Sequence, residues 1–132
     1  MKIWPFALVA FSVMSFAAQG SGSWNRGQFD ESATDKGIGN VSSCKGVYII
    51  YSDGDPYYVG RSRVSVYARL RAHITGRGSR KVAELLGGSH RLTYEYECLD
   101  SVEQMEAQLI DELGTTRFGN LRRETDPADW DD

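Results

Sequence analysis

The sequence predicts a small α+β domain, one antiparallel sheet of three strands flanked by helices. Three observations carry this reading. "GVYIIYSDGDPYYVG", Gly46 to Gly60, places two β-rich runs on either side of the turn signal Asp53-Gly54. From Val66 the apolar residues change to fourfold spacing, the period of a helix. Alternation returns at Leu92, and a second helical pattern runs to Gly114. Strands and helices in that order bury their apolar faces as a helix-covered sheet.

The elements follow in chain order. "MKIWPFALVAFSVMSFAAQG" has an early Lys and an apolar run from Ile3 to Ala18, so residues 1–20 read as a signal peptide, with cleavage after Ala17 or after Gly20. Residues 21–43 are rich in Gly, Ser and charge without apolar period and read as a flexible linker. In "KGVYIIYS" Val47, Ile49 and Tyr51 fall on one face and Tyr48 and Ile50 on the other, which makes a strand. "YYVG" returns as its hairpin partner. Val66, Leu70 and Ile74 line one side of a helix that Ser62 or Ser65 caps. "SRKVAELLGG" is a short helix stopped by glycine. In "HRLTYEYECL" Leu92, Tyr94, Tyr96 and Cys98 alternate with Arg91, Thr93, Glu95 and Glu97, the pattern of a half-exposed strand. "SVEQMEAQLIDELG" is a helix with Val102, Met105, Leu109 and Leu113 in register, and it ends at Gly114. The folded domain spans 44–123, and 124–132 form an acidic tail.

Charge is segregated along the chain. The whole protein has a formal net charge of −3, yet every formal charge from Arg61 to Lys81 is positive: Arg61, Arg63, Arg69, Arg71, Arg77, Arg80 and Lys81. A phosphate ligand meets that local field, so the segment is a candidate nucleic-acid surface. The two cysteines, Cys44 and Cys98, have no histidine cluster with which to complete a zinc shell. In an exported chain they read as a disulfide, which an antiparallel pairing of the first and third strands would bring together.

Taken singly, each polar candidate has an ordinary explanation. A strand tyrosine packs, a helical glutamate is solvated, and an arginine run is a wet face. The ordered set is different. Gly46-Val47-Tyr48 and Tyr58-Val59-Gly60, then Arg69 and His73 one turn apart, then Glu106 and Asn120, resemble the GIY-YIG nuclease domain over about residues 44–121. Valine replaces isoleucine in both triads. The gap to Arg69 is one residue longer than in many relatives, which leaves Arg71 and Arg61 as alternative phosphate contacts; helical phase favours Arg69, which shares a face with His73.

The resemblance implies roles. Glu106 holds a single divalent ion, Mg²⁺ or Mn²⁺, which keeps several waters and so needs only one carboxylate. Arg69 offsets charge on the scissile phosphate with a planar fork of donors. Tyr48 is the general base, a phenol whose ordinary pKa of about 10 demands activation. Tyr58 assists it, and His73 accepts or relays a proton. Gly46, Gly60 and Asn120 shape the site, the glycines by admitting close approach of backbone or substrate. Arg61, Arg63, Arg71, Arg77, Arg80 and Lys81 hold nucleic acid.

The reading is therefore a secreted or periplasmic, metal-dependent endonuclease of low sequence specificity acting on DNA. It is expected to be a monomer, without stable membrane association once the leader is removed. A non-catalytic nucleic-acid-binding module of the same fold, using Tyr57 and Tyr67 as aromatic contacts, is the competing reading.

Overall fold

The structure, a computed structural model, describes residues 24–120. The expected leader and the acidic tail lie outside the described residues.

Four strands make one antiparallel sheet: β1 (Asn25–Gln28), β2 (Gly46–Ser52), β3 (Asp55–Ser62) and β4 (Leu92–Cys98), in the spatial order β1-β4-β2-β3. Helices α1 (Val66–Ile74) and α2 (Arg80–Leu86) join β3 to β4. Helix α3 (Val102–Leu113) and a 3-10 turn (Thr115–Arg117) follow β4. Strand β3 is an outer strand of the sheet, a placement that matters for the site.

Alternation along β2 divides the core as expected. Tyr48 and Ile50 join Tyr58, Tyr94 and Tyr96 under Val66, Leu70, Ile74 and Val82 of α1 and α2. Val47, Ile49, Tyr51 and Val59 pack on the opposite face under Val102, Leu109 and Ile110 of α3. The hairpin turn carries positive φ at both Asp53 and Gly54, 52° and 92°, as a tight two-residue connection with the strands' own twist requires. Ser65 caps α1, its hydroxyl accepting from Ala68 N at 3.0 Å, while Ser62 Oγ accepts from Ser65 N at 2.6 Å. Gly114 ends α3 at φ 69°.

Two expectations need correction. Residues 24–43, assigned to a flexible linker, supply strand β1, which pairs with β4, and three core residues, Phe29, Ile38 and Val41. These apolar residues are isolated in sequence and show no period. They are held instead by the β4 tyrosines: Tyr94 OH donates to Gly37 O at 2.6 Å, and Tyr96 OH accepts from Ser42 N at 3.1 Å. The sheet therefore has four strands rather than three.

Strand β4 is also not half-exposed. It lies between β1 and β2, and Glu95 and Glu97 are 7% and 2% exposed. Glu95 is satisfied by Arg26 at 2.6 Å and by the Tyr51 hydroxyl at 2.7 Å. Burial, then the Glu95 charge, pushes the Tyr51 phenol far up, so it remains a donor. Burial alone raises Glu97.

The disulfide forms. Cys44 and Cys98 are bonded with their Cα atoms 5.8 Å apart, and Gly46 faces Cys98 in the β2–β4 register. Cys44 O also accepts from Val66 N at 2.8 Å, so the bridge fixes the start of α1 as well as two strands. It closes a separation of 54 residues, for which the chain-entropy account gives about 4 kcal/mol. Replacing both Cys44 and Cys98 by Ser is expected to lower unfolding stability by that order, measured by urea titration. Reduction of the unaltered protein should reproduce the loss.

Candidate active site

The first cluster forms between β2, β3 and α1. Tyr48, Tyr58 and His73 are fully buried, with the His73 ring 5.6 Å from that of Tyr48 and 5.0 Å from that of Tyr58, each edge-on. Tyr48 Oη and His73 Nε2 are 2.8 Å apart, and Ser79 N donates to His73 Nδ1 at 3.2 Å. The second contact decides the direction of the first. With Nδ1 accepting from a backbone amide, a neutral ring carries its proton on Nε2 and donates it to the Tyr48 oxygen. Burial, reinforced by the Arg69 charge, lowers His73 to about 3, so the ring is neutral across the working pH range.

Close packing explains two glycines here. A Cβ on Gly60 would lie 2.3 Å from the Tyr48 hydroxyl, and one on Gly78 would lie 2.4 Å from His73 Nδ1. Gly60 thus makes room for the phenol, whereas Gly46 admits the backbone of β4, its Cβ position being 2.3 Å from Glu97 O.

A second cluster sits under α3. Glu106 faces the sheet beside Leu109 and Ile110 and is 2% exposed. Arg61 Nη1 donates to Glu106 Oε1 at 2.5 Å, and Arg63 Nε donates to Glu103 Oε2 at 2.5 Å. The hydrogen bond from Arg63 holds the exposed Glu103 carboxyl below the usual range. Arg61, grouped by sequence with the surface cations, is 8% exposed and turned inward to an acid. Strand alternation is the reason, because Arg61 follows Val59 on the α3 face. Arg71, Arg77 and Arg80 do face solvent, with Lys81 half-buried beside them.

The two clusters lie on opposite faces of β3 and are linked through one peptide. Gly60 lies under the Tyr48 phenol and Arg61, the next residue, reaches Glu106, so β3 carries the phenols on one face and the paired carboxylate on the other. Asn120 holds that strand. Its amide accepts from Val59 N at 2.7 Å and donates to Val59 O at 2.9 Å, standing in for a neighbouring peptide group.

A family model for the GIY-YIG catalytic domain matches residues 44–119. The chain belongs to the GIY-YIG family. It therefore carries a nuclease-type catalytic domain, of a family whose members generally use divalent metal ions and act on DNA. No curated protein and no solved structure matches the chain. The GIY-YIG match begins at Cys44, so β1 and the loop carrying Ile38 and Val41 lie outside the matched residues.

Among the described residues no group of three or more His, Cys, Asp or Glu could enclose a metal. Glu106, the carboxylate that the sequence resemblance assigns to the ion, is buried and paired with Arg61. Ser79 and Gly78 are site-building residues that the sequence reading passed over. The signal available was "GRGS", a glycine directly before a helix-capping serine at the foot of the histidine helix.

Because His73 titrates near 3 when folded and near 6.5 when exposed, the unfolded chain binds the extra proton between those values. Its contribution to stability is full above about pH 6.5 and falls toward pH 3, at up to about 1.4 kcal/mol per pH unit. His73→Gln is expected to flatten the stability profile in that window, as read by denaturant midpoints from pH 7 to pH 3.

Proposed function

We propose that this protein is an exported, divalent-metal-dependent endonuclease that hydrolyses DNA phosphodiester bonds with little sequence preference. The observation that carries the reading is that consecutive residues of one outer strand hold both groups, Gly60 against the Tyr48 phenol on one face and Arg61 against the Glu106 carboxylate on the other. Export rests on the N-terminal segment and on the Cys44–Cys98 bridge, which suits an oxidising compartment. Low specificity rests on the small domain, whose described residues are used in the catalytic fold.

The residues have distinct tasks. His73 donates to the Tyr48 oxygen, and such a donor stabilises the negative charge left when a phenol loses its proton. Tyr48 as phenolate takes the proton from the attacking water. His73 is then a donor that holds and polarises Tyr48, in place of the relay expected from sequence. Arg69, buried and near enough to depress His73, brings a guanidinium to the phosphate oxygens. Tyr58 packs beside both rings. Glu106 would hold Mg²⁺ or Mn²⁺, which when bound neutralises charge developing on the phosphoryl group. Arg71, Arg77, Arg80 and Lys81 supply the basic surface that draws the DNA backbone.

The chain from Ser21, incubated with supercoiled plasmid and Mg²⁺, is expected to nick it and to stop in chelator. Tyr48→Phe should cost at least about 100-fold in nicking rate, the scale of a lost general base. Glu106→Gln should abolish metal-dependent nicking. DNA retention without nicking by the unaltered protein would select the binding-module reading instead.

A further inference from the structure

Exposed aromatic surface gathers at one spot beside the phenol cluster. Phe118 is 47% exposed, and its ring centroid lies 6.2 Å from that of Tyr57 with 32° between the planes. Single exposed apolar residues are commonplace, so exposure alone means little. The pair, however, is built. In the β2–β3 register Ile50 faces Tyr58 while Tyr51 faces Pro56, which makes Tyr57 the extra residue of a β-bulge. A bulge re-aims a side chain, and Tyr57 leans against the same core cluster as Tyr48 and Tyr58.

Two constraints fix the aromatic step. Gly119 N donates to Tyr57 O at 2.9 Å, and a Cβ on Gly119 would lie 2.7 Å from the Tyr57 ring. The 3-10 turn is thus pressed onto β3 by a contact only glycine permits, and that contact sets Phe118 beside the ring. Burial, then the Glu84 charge on α2, raises the Tyr57 phenol, which keeps this surface uncharged next to a polyanion. The residue after Tyr57 is Tyr58, so the step adjoins the candidate site within a single peptide.

A half-exposed aromatic pair beside the proposed phosphate-cutting site offers a ring face suited to a nucleobase. Inside a duplex each base is covered by its neighbours, so a side chain reaches a base face only where the base is unpaired or splayed out. We propose that Tyr57 and Phe118 stack an unpaired base flanking the scissile phosphate, which makes DNA with a gap or other unpaired nucleotide the favoured substrate over continuous duplex. This rests on the nuclease reading above and names its substrate form.

The test uses the full chain in chelator, where DNA is bound and not cut. Two labelled DNAs are compared, an intact duplex and the same duplex interrupted by one unpaired 2-aminopurine. The protein should bind the interrupted DNA about tenfold more tightly and quench the 2-aminopurine, the scale expected for one stacked base. Phe118→Ala should remove the preference and the quench while leaving duplex affinity and melting temperature unchanged. Phe118→Leu, which keeps apolar bulk without a ring, should behave as the alanine variant does, and Phe118→Trp should retain the preference.

Equal affinity for the two DNAs overturns the proposal, as does a preference that survives in Phe118→Ala or Phe118→Leu. Plasmid nicking with Mg²⁺, read separately, distinguishes the two readings. Nicking without a preference removes the stacking step alone; a preference without nicking removes the enzyme and leaves the step.

Discussion

The site depends on one buried ion pair, Arg61 with Glu106, which ties the outer strand β3 to helix α3 across the sheet's second face. A carboxylate at 2% exposure without a cation would be expelled or protonated, and a guanidinium facing apolar side chains would be worse. Together they let α3 keep an acid on its buried stripe. Removing either partner alone leaves the other charge stranded, at about 3–5 kcal/mol. The pair fixes where the Glu106 carboxylate sits relative to β3.

The opposite face obeys a different constraint, the neutrality of His73. A protonated imidazole fully buried beside Arg69 would cost too much, so the ring is held neutral, and the amide of Ser79 chooses its tautomer. Direction of hydrogen bonding at Tyr48 follows from a backbone group in the loop between two helices. This is positioning at second remove: Gly78 permits Ser79 to reach the ring, Ser79 orients the ring, and the ring presents its proton to the phenol. None of these steps needs a residue of unusual chemistry.

The hairpin and the helical periods were legible in the sequence because they rest on local rules. Asp53-Gly54 dictates its turn, Ser65 caps α1, and alternation through Val47 to Tyr51 divides two cores. The triads, Arg69, His73, Glu106 and Asn120 were legible through family resemblance. Strand β1 was not, since its residues carry no apolar alternation and its side-chain tie to β4, Arg26 to Glu95, joins residues far apart in sequence. Glu95 and Glu97 were misplaced because burial of a central strand depends on neighbours far away in sequence. Arg61 was misread for a similar reason: its charge belongs to a basic run, but its direction is set by strand phase, and phase decides whether a cation meets solvent or an acid.

Asn120 has a consequence for the molecule's company. An outer strand ordinarily offers a row of unanswered amides and carbonyls to any passing chain, the usual start of sheet extension and clumping. Here one side-chain amide answers both groups of Val59, and the neighbouring glycine answers Tyr57. Two consecutive residues thereby occupy the middle of that border, where a foreign backbone would otherwise pair.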